Sequence, residues 1–196
     1  MVDNCHFRLI AITPETPVDD EGAKITALLT AGFFRVHLRH PSASRIEMRD
    51  IIESVPQRLH DRIVIHGHFD LAFDYNLGGL HLNRRCPAPP AGYRGALSRS
   101  CHSVDEVISH SAGMGYVTLS PVFDSISKAG YRSAISSDDI SRLPGIPVPV
   151  IALGGITPAS LPALAAGGFA GAAMLGAIGW ERPLPEFSNK LSEYIC

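Results

Sequence analysis

The chain predicts a single small (β/α)8 barrel of the α/β class. Three observations lead there: eight short apolar runs, helical or polar segments between them, and no glycine-rich turn after the first run. Eight strands alternating with helices need crossover connections and therefore pair in parallel. Closing that many strands into a barrel removes both sheet edges. An open doubly wound sheet normally carries a Gly-rich turn after its first strand, and Thr13-Pro14-Glu15-Thr16-Pro17 is no such turn. The 196 residues suit one domain, taken as 1–196.

The elements follow in order. Phe7 to Thr13 is a strand-length apolar run closed by Pro14, and Glu21 to Ala31 has helical spacing ending at Gly32 as C′ residue. Phe33–Arg39 predicts the second strand, and Ser44–Val55 a helix stopped by Pro56. Arg62–His66 is the third strand, followed by a short helical piece over Phe69–Tyr75, and Gly79–Leu82 is the fourth. The proline-rich stretch Arg84–Gly92 predicts a loop where a full helix would normally sit. Gly95–Ser100 is strand five. Ser103 with Glu106 three places on has the pattern of a capping box opening a helix. Tyr116–Ser120, Val148–Leu153 and Gly171–Leu175 complete the strands, and a last helix is expected over Leu184–Tyr194.

Composition limits the partners. Lys and Arg number 17 against 19 Asp and Glu, with no basic run, so a nucleic-acid partner is not expected. No stretch approaches the roughly 20 apolar residues that span a bilayer. The amino terminus lacks the features of a signal peptide, so the expected setting is the cytoplasm. Cys5, Cys86, Cys101 and Cys196 are scattered without a C-x-x-C pair, which suggests neither a disulfide framework nor a thiolate metal site. A homodimer is compatible with the chain.

In TIM barrels the reacting groups sit at the carboxyl ends of the strands and in the loops that follow. Leu153-Gly154-Gly155-Ile156, with Thr157-Pro158 at a helix start, and Leu175-Gly176-Ala177 after strand eight predict a phosphate clamp made of main-chain amides. The competing reading is a tight turn without a ligand. His37 and Arg39 share one strand face and point to the barrel mouth, where Arg39 meets an anion or a neighbouring acid. Alternation puts Ser98, Ser100 and His102 on one face, with His102 either a proton carrier or a cap of the next helix. The long polar connection after strand six carries Lys128, either on a ligand loop or on a solvated one. His66-Gly67-His68 with His81 or His102 would suit zinc, but no carboxylate lies beside them and no metal is assigned. His66 and His81 are taken as substrate-facing. Trp180 is read as a plug under the last helix.

The ordered motifs His37-Leu38-Arg39, Ser100-Cys101-His102-Ser103, Leu119-Ser120-Pro121-Val122-Phe123 with Ser127-Lys128, and Leu153-Gly154-Gly155-Ile156 resemble those of the thiamin-phosphate synthase superfamily, which also holds the thiazole tautomerases. The resemblance spans nearly the whole chain. It implies joining of a hydroxymethylpyrimidine diphosphate to a thiazole phosphate, with Arg39 and Lys128 facing the diphosphate and Ser100 near the departing group. It also implies Mg²⁺. However, the two places where the family carries metal carboxylates read His66-Gly67 and, near Cys86, Asn83-Arg84-Arg85-Cys86-Pro87, so the cofactor stays unknown. The lysine expected two places beyond Arg39 is Pro41. The tautomerase branch needs no metal; its catalytic histidine would fall in the motif that here has Pro121, leaving His102 or His81 to stand in. A non-catalytic thiamin-phosphate binder and a zinc hydrolase using His66, His68 and His81 are the readings from other classes.

Overall fold

The computed structural model describes residues 7–123 and 135–182, together with Leu191 and Tyr194. Eight strands close in sequence order into a parallel barrel: β1 (Arg8–Ile12), β2 (Arg35–Leu38), β3 (Ile63–Ile65), β4 (Gly79–Leu82), β5 (Leu97–Cys101), β6 (Tyr116–Leu119), β7 (Val150–Leu153) and β8 (Gly171–Met174). The register Ile10↔Arg35 begins the circuit, and Ile10↔Ala173 closes it.

The helices are α1 (Glu21–Thr30), α2 (Arg45–Glu53), α3 (Leu71–Asp74), α4 (Val104–His110), α5 (Ser137–Ser141) and α6 (Leu161–Ala166). Helix α1 ends as its glycine predicts: Gly32 has φ 106° and the Phe33 amide reaches back to the Leu28 carbonyl. Ser44 and Glu47 form a full capping box on α2. At α4 only half of the expected box forms. Ser103 accepts from the Glu106 amide, but the Glu106 carboxylate turns to the His102 N–H, one residue earlier than predicted. No helix lies between β4 and β5, as the prolines require. Helix α5, which sequence patterning did not anticipate, is too short and polar to show a period; its own capping box, Ser136 with Asp139, starts it. The predicted helix over Leu184–Tyr194 lies largely outside the described residues.

Period-two alternation divides the core in two. Outward residues such as Leu9, Val36, Leu38, Ile63 and Val117 pack against the helices. Inside the barrel, Ile10, Ile12, Ile151 and Ala173 of β1, β7 and β8 pack together with Tyr116 at the start of β6. The opposite interior wall, over β2 to β6, is polar instead: His37, His81, Ser98 and Thr118 are all buried. Trp180 is buried, donating its indole N–H to the Ile12 carbonyl at 2.8 Å, while the last helix that the sequence has it plug lies largely outside the described residues. Trp180→Phe keeps most of the ring but leaves that carbonyl unpaired, so an unfolding free energy lower by about 1–2 kcal/mol is expected in urea titration. Among the described residues, no helix is long and apolar enough to cross a membrane.

Candidate active site

A cavity of about 770 Å³ opens at the carboxyl ends of the strands, within the size range of small-molecule sites. Its lining brings together His37, Arg39, His66, His81, Ser100, His102, Gly154, Gly155, Gly176 and Ala177, whereas Ser98 is not in the lining and Lys128 lies outside the described residues. The turns after β7 and β8 meet there because β7 and β8 are neighbours, paired Leu153↔Ala173. Gly154 has φ 97° and Gly155 φ 65°, the left-handed region that glycine enters freely. A Cβ on Gly154 would also sit 2.9 Å from Pro121 Cα. Close approach to the β6 loop is stitched by Val122 and Phe123 amides donating to the Leu153 and Gly154 carbonyls. The amides of Gly155, Gly176 and Ala177 take part in no turn hydrogen bond among the described residues, which leaves them able to bind an oxyanion.

Across the cavity stands the polar wall. His37 Nδ1 lies 2.9 Å from His66 Nε2, and His37 Nε2 bonds the Tyr116 hydroxyl. His81 is held between Ser98 Oγ at 2.9 Å and Ser100 Oγ at 2.8 Å, and its ring stacks on His66 with centroids 4.2 Å apart. Burial pushes all three imidazoles below the usual histidine range; His81 falls to about 3, with Arg39 and Arg99 adding to the effect. Burial likewise raises the Tyr116 hydroxyl to about 12. The wall is thus uncharged at neutral pH.

Three sequence expectations need correction or extension. His102 lines the same cavity as Ser100 but lies one residue past the end of β5, exposed, its ring donating from Nδ1 to the Ser120 carbonyl at 3.1 Å. His68 turns away from the histidine group, donating to the Ala43 carbonyl at 2.9 Å, and His37 takes the place proposed for it. Arg39 lines the cavity and pairs at 3.1 Å with Glu15, the neighbouring acid of one of its two readings. Sequence reasoning missed Tyr116 and Thr118 as interior polar groups. Thr118 Oγ1 lines the cavity with no hydrogen-bond partner among the described residues. It also missed Asn83, which donates to the His66 and His81 carbonyls and shapes the turn after β4. The signal was there: strand alternation puts Tyr116 and Thr118 on one face, but both looked like ordinary strand formers.

The Mg²⁺ implied by the resemblance does not fit these residues. Glu15 is the one carboxylate lining the cavity among the described residues; its side chain is 58% exposed and held by Arg39. Mg²⁺ is a hard ion bound through carboxylate and other oxygen ligands.

A family model described as thiamine monophosphate synthase matches residues 9–178. A Geobacter sulfurreducens protein provisionally named a thiamine-phosphate synthase is 30% identical over 166 residues, covering 80% of this chain and 78% of that relative. The thiamine-phosphate synthase of a Synechococcus strain is 30% identical over 175 residues, and there the chain spans only 49% of the relative's length. Among solved structures, the thiamine phosphate pyrophosphorylase of Bacteroides thetaiotaomicron superposes with a TM-score of 0.79 at 32% identity, covering 96% of this chain and 92% of that one.

Proposed function

The chain belongs to the thiamine monophosphate synthase family, and from that membership we propose that it acts in thiamin biosynthesis on a phosphorylated heterocycle. The reading is synthase-like: a hydroxymethylpyrimidine diphosphate and a thiazole phosphate are joined and pyrophosphate is released. One observation carries it. The glycine turns after β7 and β8 and the Arg39 guanidinium face one cavity large enough for a small phosphorylated molecule.

In this reading the thiazole phosphate sits on the amides of Gly155, Gly176 and Ala177, with Gly154 keeping the turn close. The pyrimidine diphosphate extends toward Arg39. Breaking its C–O bond sends the electron pair to pyrophosphate and leaves a carbocation for the thiazole nitrogen to capture. Positive charge beside the leaving group lowers that barrier. Arg39 supplies one such charge, and Lys128 is proposed to supply another. Ser100 lies beside the departing group, and His37, His66 and His81 form the facing wall of the cavity. No step here uses Mg²⁺.

Incubating the protein with both substrates and following thiamin phosphate is the test. Arg39→Gln is expected to lower kcat/KM about 100-fold, because a charge-assisted contact to the leaving group is lost. Its unfolding midpoint should barely move, since the Arg39–Glu15 pair is a surface one. No product at high enzyme concentration, with or without divalent ions, overturns the synthase reading.

A second reading, proton transfer that aromatises a thiazole phosphate carboxylate, is favoured by the scarcity of carboxylates beside three neutral imidazoles. It requires metal-free deuterium exchange at the thiazole carbon, lost in His102→Ala or His81→Gln. Exchange unchanged in both variants removes it.

A further inference from the structure

We propose that His37, His66 and His81 form a binding site for a divalent cation of the zinc class, with three nitrogen ligands and a fourth position open to the cavity. The inference does not depend on which reaction the site performs. His37 is on β2, His66 directly follows β3 and His81 is on β4, three adjacent strands: His37 pairs with Val64, two residues before His66, and Val64 pairs with Gly79, two before His81. One nitrogen from each ring lies within 4.8 Å of the other two. A tetrahedral zinc site with bonds of 2.0–2.1 Å needs its nitrogens about 3.4 Å apart, so side-chain adjustments of an ångström or so close the site.

The hydrogen bonds are compatible with one ligating set of tautomers. With its proton on Nε2, given to the Tyr116 hydroxyl, His37 keeps Nδ1 as a lone pair. In the same set His81 Nδ1 donates to Ser98 Oγ, whose own proton goes to the Leu80 carbonyl, and Nε2 keeps a lone pair that accepts from the Ser100 hydroxyl at 2.8 Å until a cation takes it. His66 Nε2 and His37 Nδ1 lie 2.9 Å apart, a hydrogen bond in the metal-free protein whose proton a cation would displace. Outer-side hydrogen bonds of this kind fix the tautomer of ligating histidines. Imidazole ligands suit zinc, copper or nickel, whereas Mg²⁺ and Ca²⁺ require oxygen. Three protein ligands with a fourth side open also distinguish reactive zinc sites from closed structural ones.

The test uses the full chain, stripped with a chelator and titrated with Zn²⁺ by calorimetry and with Co²⁺ by visible absorption. One equivalent of Zn²⁺ should bind, and Co²⁺ should give the intense visible bands of a tetrahedral site. His66→Gln, at the rim of the cavity, should weaken Zn²⁺ binding at least 100-fold, while circular dichroism shows the barrel intact. Tyr116→Phe, which removes the partner of the His37 outer nitrogen, should weaken it about tenfold. His68→Gln should leave it unchanged. Binding below one-tenth of an equivalent, or binding that survives His66→Gln or is abolished by His68→Gln, overturns the proposal.

Discussion

Acidifying the metal-free protein from neutrality to about pH 5 is expected to reduce its unfolding free energy by about 3–4 kcal/mol, a large part of the 5–15 kcal/mol typical of a domain. The cause is the polar wall of the barrel. His37, His66 and His81 have folded-state pKa values below the ordinary 6.5, chiefly because burial removes the water that would solvate their charge. The sign follows from proton counting. Below pH 6.5 the unfolded chain takes up a proton on each ring while the folded chain does not, so stability is full above that value and falls as the pH drops toward the folded pKa. Each ring contributes a slope of about 1.4 kcal/mol per pH unit. His37 and His81, both buried, contribute most, and His66, partly open to the cavity, contributes less. Urea midpoints measured in chelator between about pH 7.5 and pH 5 check this. That window avoids Glu47 and Asp139, whose lowered pKa values put their own losses at more acid pH. His81→Gln should flatten the slope by about one proton; a profile as flat as that of an ordinary surface-histidine protein would contradict the burial argument.

Placing a carboxylate in the glycine clamp should abolish phosphate recognition without unfolding the barrel. Gly176 lines the cavity and is exposed, so Gly176→Glu meets no core packing. Its charge would stand where the clamp is proposed to hold the ligand phosphate, and affinity for thiazole phosphate is expected to fall at least 100-fold, about 2.7 kcal/mol. Gly154→Ala acts differently. Its positive φ and the 2.9 Å approach to Pro121 Cα force the turn itself to shift, so both affinity and stability should fall, stability by about 1–3 kcal/mol. Calorimetric titration of each variant with the phosphorylated thiazole separates the two effects. Gly176→Glu retaining wild-type affinity would mean that the phosphate is held elsewhere.

The sequence by itself determined the barrel and the level at which its chemistry sits. Eight apolar runs with crossover lengths between them admit few closed topologies, and the prolines after β4 announced a missing helix. Glycines were readable for the same reason: their conformational freedom is a local property. Boundaries were less so, and α5 was missed, because a short polar helix leaves no apolar period to detect. What only the tertiary structure decided was which polar residues face one another. His66 and His68 look equivalent in sequence, yet His68 bonds the Ala43 carbonyl while His66 meets His37 from one neighbouring strand and His81 from the other. Barrel closure and register set those meetings between residues 15 to 79 positions apart. Local pattern fixes a side chain's face on its own strand, but the partner across the barrel, and with it the charge state of the ring, depends on every strand between.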